Sequence, residues 1–87
     1  MPVPYERSRD LPSVLPVWHA NELVVKNRTD HATLIARLEL TERRERKYAE
    51  EQCWTYKRAR HIALLNCLEI ERGLFEKGMH AGDYFAR

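Results

Sequence analysis

The chain has 87 residues, of which 44% are hydrophobic and 32% are charged, and 15 Lys and Arg against 13 Asp and Glu give a net charge of +2. This length allows one domain, and the composition excludes a disordered tail, a disulfide scaffold and a membrane-spanning run of about 20 apolar residues. The near balance of charge also argues against a nucleic-acid-binding face, so nucleic acid is not an expected partner.

The first predicted element is an extended arm over residues 1–17. This segment holds all four prolines of the chain: Pro2, Pro4, Pro12 and Pro16. Each proline fixes its own φ and pushes the preceding residue toward extended backbone, which favours an arm lying on a surface. The next ten residues, 18–27, combine a strand-like Leu-Val-Val run with a start that follows a proline, and we interpret them as a short helix.

The rest of the chain is predicted to be helical. The run "NRTD" at residues 27–30 is a helix-start signal, in which Thr29 or Asp30 can accept a hydrogen bond from a free backbone N–H group. No proline follows, and Gly78 lies where a glycine ends a helix. The fold class is therefore all-α, with residues 18–87 forming one helical region that is not independently compact.

Two arrangements of this helical region remain open. The simplest prediction is one long helix over about residues 30–77, and the alternative is a helical hairpin broken near residues 44–48. Pairs of opposite charge four residues apart would stabilise the charged middle of the long helix. These pairs are Glu39–Arg43, Glu42–Arg46, Arg46–Glu50 and Lys47–Glu51.

The long predicted helix carries an interface. At 100° per residue, small and apolar side chains form a seam along one face, interrupted by Glu42 and Glu45. Residues 61–75 are apolar on most of their circumference, which is typical of a buried helix and predicts that another protein covers them. The predicted interface residues are Leu38, Ala49, Cys53, Tyr56, Ala59, Ala63, Leu64, Leu65, Cys67, Leu68, Ile70, Leu74 and Phe75.

Small side chains suggest where a partner helix packs. Ala59, Ala63 and Cys67 form a line on which a second helix could approach closely, because the distance between helix axes depends on the contacting side chains. Leu64, Leu65 and Leu68 would then face a second surface.

The two cysteines are 14 residues apart. On one continuous helix, Cys53 and Cys67 would lie about 21 Å apart, too far to bridge to each other. They are interpreted either as small buried residues on the seam or as the sites of intermolecular disulfides. The spacing of metal-binding cysteines is absent and the four histidines are scattered, so no metal ligand, cofactor-binding residue or catalytic residue is predicted, and the histidines are read as surface or cap residues.

One stretch of the chain has a family resemblance. The run "RRERKYAEEQCWTYKRARH" at residues 43–61, followed by "LLNCLEIERGLF" at residues 64–75, is similar to the cysteine-bearing helical accessory subunits of mitochondrial respiratory complex I, of the PDSW type. The resemblance implies a structural subunit on the intermembrane-space side of the inner membrane, with Cys53 and Cys67 at the matching cysteine positions.

The functional expectation is a non-catalytic accessory subunit of a multi-protein assembly, with a mitochondrial respiratory-chain complex favoured. Its partners would be other protein subunits, and its contact with a membrane would be peripheral. The alternative is a small dimeric helical regulator of phage or plasmid type, located in the cytoplasm. That protein would bind a host protein or DNA through the basic run "YKRARH" at residues 56–61.

Overall fold

The computed structural model describes residues 4–15 and 24–80. In these ranges the chain forms three helices, α1 (Arg7–Val14), α2 (Arg28–Glu50) and α3 (Arg58–Glu76), and no strand. The predicted all-α class is confirmed. The short helix predicted over residues 18–27 lies mostly outside the described residues, and residues 24–27 are not helical.

Helix α1 occupies part of the segment predicted as an extended arm, so that prediction is wrong for this part. Leu11 and Val14, one turn apart, are buried in the core, and their burial stabilises the helix despite Pro12. A proline ring holds φ near the helical value, and its cost inside a helix includes one lost N–H hydrogen bond. The helix ends at the next proline, because Leu15, which precedes Pro16, is extended.

A hairpin of α2 and α3 replaces the single long helix, which was therefore the wrong choice of the two arrangements. The break lies at residues 51–57, not at the predicted residues 44–48. Gln52 has a φ of 53°, and Cys53 donates its N–H to the carbonyl of Tyr48 at 2.9 Å. Many helices end with this combination of a positive φ and a backbone hydrogen bond, and the residue with the positive φ is usually a glycine. A glutamine takes that position here, which is why the sequence carried no visible stop signal.

The outer ends of the hairpin follow the sequence signals. The side chain of Asn27 accepts the N–H of Asp30 at 2.9 Å, so α2 starts within the predicted "NRTD" run, but its cap is Asn27 and not Thr29 or Asp30. At the end of α3, Gly78 has a φ of 74°, and Met79 donates its N–H to the carbonyl of Leu74 at 2.9 Å. The predicted glycine cap is confirmed.

The core lies between the three helices. Helices α2 and α3 run antiparallel, since residues early in α2 contact residues late in α3, and α1 packs against α3. The buried cluster consists of Leu11, Val14, Leu15, Val25, Leu34, Leu38, Leu64, Cys67 and Leu68. The chain thus covers much of the apolar side of α3 with its own residues.

Candidate functional site

A cluster of polar side chains is buried at the end of the hairpin where α2 begins and α3 ends. We call it the open-end cluster, and its members are Tyr5, Arg7, His31, Glu71 and His80. Glu71 lies at its centre and is 0% exposed. Arg7 donates from Nε and Nη2 to the two carboxylate oxygens of Glu71, at 2.9 and 2.7 Å, and the hydroxyl of Tyr5 donates to Oε2. His31 Nε2 lies 2.9 Å from Oε1.

The proton positions in this cluster follow from the charge of Glu71. Burial by itself would raise the pKa of the Glu71 carboxyl, but the hydrogen bonds from Arg7 and Tyr5 and the charge of Arg7 hold that pKa below its ordinary value. A carboxylate only accepts, so His31 donates from Nε2. Burial lowers the pKa of His31 and favours its neutral form. Neutral His31 then accepts at Nδ1 from Nδ1 of His80, 2.8 Å away.

The open-end cluster ties distant parts of the chain together. Arg7 also donates from Nη1 to the carbonyl oxygen of His80 at 2.9 Å, and the Phe75 ring meets the rings of His31 and His80 edge to face. The cluster therefore joins all three helices and the segment that follows α3. The prediction that His31 is a surface or cap residue is wrong, because its ring is fully buried.

A second polar cluster lies at the other end of the hairpin, beside the α2–α3 connection. We call it the closed-end cluster, and its members are Glu42, Glu45, Arg46, Tyr56, Arg60 and His61. Glu42 accepts from Arg46 at 2.6 Å and from His61 Nε2 at 3.0 Å, and the hydroxyl of Tyr56 lies 2.9 Å from Nδ1 of the same histidine. Arg60 donates to Glu45 Oε1 at 2.8 Å.

The closed-end cluster is less completely hydrogen-bonded than the open-end cluster. Within the described residues, Glu45 Oε2 and Arg60 Nε are buried without a hydrogen-bond partner. The predicted pairs of opposite charge four residues apart are present in part: Glu42 pairs with Arg46 at 2.6 Å, and Lys47 lies 4.0 Å from Glu51. Glu39, by contrast, reaches across to Arg72 of α3 at 2.6 Å.

The predicted interface residues divide into two groups. One group is buried within the chain: Leu38, Leu64, Cys67, Leu68 and Leu74. The other group is partly or fully exposed: Ala49, Cys53, Tyr56, Ala59, Ala63, Leu65, Ile70 and Phe75. The first group contributes no surface to a partner docked on this structure, so the part of α3 left for another protein is smaller than the sequence suggested.

The line of small residues on α3 faces a helix of the same chain. Ala63 and Cys67 line one groove together with Ser13 and Val14 of α1. Helix α1 of the same chain therefore lies beside two of the three positions where a partner helix was predicted. Of the leucines predicted to face a second surface, Leu64 and Leu68 are buried in the core of the chain, whereas Leu65 is exposed.

The two cysteines differ in accessibility, and both are free thiols. Cys67 is 6% exposed, and burial raises its pKa to about 11, so it is not available for an intermolecular disulfide in the folded chain. Cys53 is half-buried in the α2–α3 connection, and the hydrogen bond from Thr55 lowers its pKa. Of the two positions predicted for intermolecular disulfides, Cys53 alone keeps the necessary access.

The exposed apolar side chains form the remaining candidate site. Trp54 lies in the α2–α3 connection and is 92% exposed, and Ile62, Leu65 and Ile70 are exposed on α3 by 48%, 43% and 38%. Sequence reasoning missed Trp54 because it placed this residue inside a continuous helix. The combination of a tryptophan and basic neighbours was visible, but the turn that exposes the indole was not.

Residues 4–15 and 24–80 contain no group of three or more His, Cys, Asp or Glu side chains that could hold a metal ion. None of the helices in the described part of the chain is long and apolar enough to cross a membrane. Comparison with protein-family models, with curated proteins and with solved structures finds no match.

Proposed function

We propose that the chain is a non-catalytic accessory subunit of a larger multi-protein assembly. The observation that carries this proposal is the apolar side of α3 that the chain itself leaves uncovered, where Leu65 and Ile70 are 43% and 38% exposed. Removing apolar surface from water is the main favourable contribution to most protein–protein association. Apolar side chains left in solvent on α3 therefore support an assembly in which another chain covers them.

The polar clusters support the non-catalytic part of the proposal. The ionisable groups of the open-end cluster are buried and hydrogen-bonded to one another, around Glu71. At the closed end, Glu42 and Glu45 bind arginine and histidine side chains of their own hairpin. Groups held in this way stabilise helix packing.

The finer proposal is a subunit of a mitochondrial respiratory-chain complex, associated with the inner membrane on its intermembrane-space side. It is supported by the resemblance of residues 43–61 and 64–75 to complex I accessory subunits. In this proposal Cys53 is the cysteine that remains accessible to a neighbouring subunit.

The proposal is tested by affinity purification of the tagged chain from its native source, with three forms compared. We expect the wild type to co-purify with other chains in fixed stoichiometry, and Leu65→Glu to lose them because it places a charge in the covered surface. Leu40→Glu is the matched control, since Leu40 has a similar exposure of 41% on α2. It should retain the partners.

Two outcomes would contradict the proposal. The first is a wild-type chain that purifies alone as a stable dimer, which would favour the small dimeric regulator. The second is the same set of partners for Leu65→Glu as for the wild type, which would mean that the exposed face of α3 is not covered in the assembly.

A further inference from the structure

Charge is unevenly distributed along the hairpin. Residues 42–61 contain seven Lys and Arg and four Glu, a net charge of +3, and the rest of the chain has a net charge of −1. Glu42 and Glu45 are buried and paired with Arg46 and Arg60. The negative charge exposed to solvent here is therefore limited to the carboxylates Glu50 and Glu51. It is outnumbered by the exposed cations Arg43, Arg44, Lys47, Lys57 and Arg58. We call this end of the hairpin, residues 43–58, the basic tip.

Exposed aromatic and aliphatic side chains lie in and beside the basic tip. Trp54 is 92% exposed and Tyr48 is 37% exposed, and Ile62 follows in the second turn of α3 with 48% exposure. Tryptophan and tyrosine are the residues enriched where a protein meets the boundary between lipid headgroups and acyl chains. Their combination with cations is typical of a surface that binds lipid peripherally.

The turn that carries Trp54 is held by hydrogen bonds on both sides of the indole. Cys53 donates its N–H to the carbonyl of Tyr48 at 2.9 Å, and Tyr56 donates its N–H to the carbonyl of Cys53 at 3.0 Å. The hydroxyl of Tyr56 is in turn hydrogen-bonded to His61. The exposed indole is therefore presented by an ordered turn, which lowers the entropy lost when it binds.

We propose that the basic tip docks peripherally on an anionic lipid surface. The indole of Trp54 lies at the headgroup–acyl boundary, and the cations face lipid phosphates. Lipid accounts for the apolar residues better than nucleic acid does, because stacking on bases uses aromatic rings and gains little from Ile62. This inference rests on the proposed function and deepens it, since it names the surface that the tip of the subunit meets.

The experiment follows Trp54 fluorescence with the full chain carrying Trp18→Phe, so that Trp54 is the single indole. We expect a blue shift with vesicles of equal phosphatidylcholine and phosphatidylglycerol, and none with phosphatidylcholine alone. Lys57→Glu combined with Arg58→Glu should lower the vesicle partition coefficient roughly 25-fold or more, since each cation near an anionic surface contributes about fivefold.

The matched control changes the net charge by the same amount at the other end of the hairpin. Lys26→Glu combined with Lys77→Glu replaces two exposed cations there, and we expect it to leave most of the vesicle binding intact. Equal losses in the two double variants would overturn the proposal, because net charge and not the tip would then govern binding.

Two further results would also overturn it: no binding to the anionic vesicles, or a Trp54 shift with single-stranded oligonucleotide but not with vesicles. The latter would assign the tip to nucleic acid. Failure of the lipid-binding proposal is distinguishable from failure of the proposed function. If the chain does not bind anionic vesicles but partner proteins still co-purify with it, the accessory role is retained and only lipid binding is rejected.

Discussion

The two ends of the hairpin bury carboxylates in different ways. At the open end, Glu71 is fully buried and both of its oxygens receive hydrogen bonds from arginine, tyrosine and histidine. At the closed end, Glu45 is 4% exposed and accepts from Arg60 at Oε1, while its Oε2 has no partner within the described residues. A buried charge is tolerated when its lone pairs are all used. The difference predicts that breaking the contacts at the open end destabilises the fold more than breaking those at the closed end.

The largest expected effect on the free energy of unfolding comes from removing the arginine that binds the buried glutamate at each end, Arg7 or Arg60. Arg7→Ala leaves Glu71 buried with two hydrogen bonds lost, and we expect it to lower the free energy of unfolding by about 3–5 kcal/mol. Arg60→Ala should cost about 1–2 kcal/mol, because Arg60 is partly exposed and its removal lets water reach Glu45. Urea denaturation measures both values.

The control for this comparison is the same substitution in an exposed ion pair. Arg72 and Glu39 are 53% and 40% exposed, so Arg72→Ala should change the stability by no more than about 1 kcal/mol. Equal costs for Arg7→Ala and Arg60→Ala would contradict the expected difference between the two ends.

A smaller effect is expected from acid, and between pH 7.5 and pH 5.5 it should come from His31 at the open end. The pKa of His31 is below its ordinary value in the folded chain, so the unfolded chain takes up the proton first as pH falls through about 6.5, and stability falls. The lowered pKa values of Glu71 and of Glu42, at the closed end, act in the same direction, with their contributions lost as pH falls below about 4.3 and through the folded pKa values.

Urea denaturation at pH 7.5 and pH 5.5 checks the histidine part of this prediction. His31→Gln should flatten the change in stability between the two pH values, whereas His61→Gln, a matched change at the closed end, should leave it in place. If the pH dependence of stability persists in His31→Gln and disappears in His61→Gln, the group responsible for it lies at the closed end and the prediction is wrong.

The smallest expected effect concerns the two helix ends that use the same backbone turn. Gly78 has a φ of 74° and no atom within 4 Å of an added Cβ, so Gly78→Ala should cost about 1 kcal/mol through backbone strain alone. Gln52 has a φ of 53° and is exposed, so Gln52→Gly should raise the melting temperature by relieving up to about 1 kcal/mol. A Gln52→Gly variant that melts lower would show that the glutamine side chain stabilises the turn.

The sequence predicted the features that depend on local signals. The helical class, the start of α2 near Asn27 and the glycine cap at Gly78 all follow from the residues at those positions. The break between α2 and α3 was not predictable in the same way, because Gln52 occupies a position where glycine gives the usual signal. Helix α1 was missed since tertiary burial of Leu11 and Val14 outweighs the effect of Pro12.

The open-end cluster was missed for a different reason. Its partners are far apart in the chain: Glu71 lies 40 residues from His31 and 64 from Arg7, so no spacing rule connects them. The closed end did carry a signal. Glu42 and Glu45 interrupted the apolar seam at positions facing the core, and a buried carboxylate in such a place requires a cation opposite it.

The separation of these contacts along the chain bears on the order of folding. At the closed end, hydrogen bonds join residues 15 and 19 positions apart, whereas those around Glu71 join residues 40 to 66 apart. Closing a longer loop costs more entropy, so the closed end is expected to form first and the Glu71 contacts after the transition state. Interactions formed that late slow unfolding and leave the folding rate nearly unchanged. The open-end cluster should therefore set the lifetime of the native state, while the turn at Gln52 governs how fast the chain reaches it.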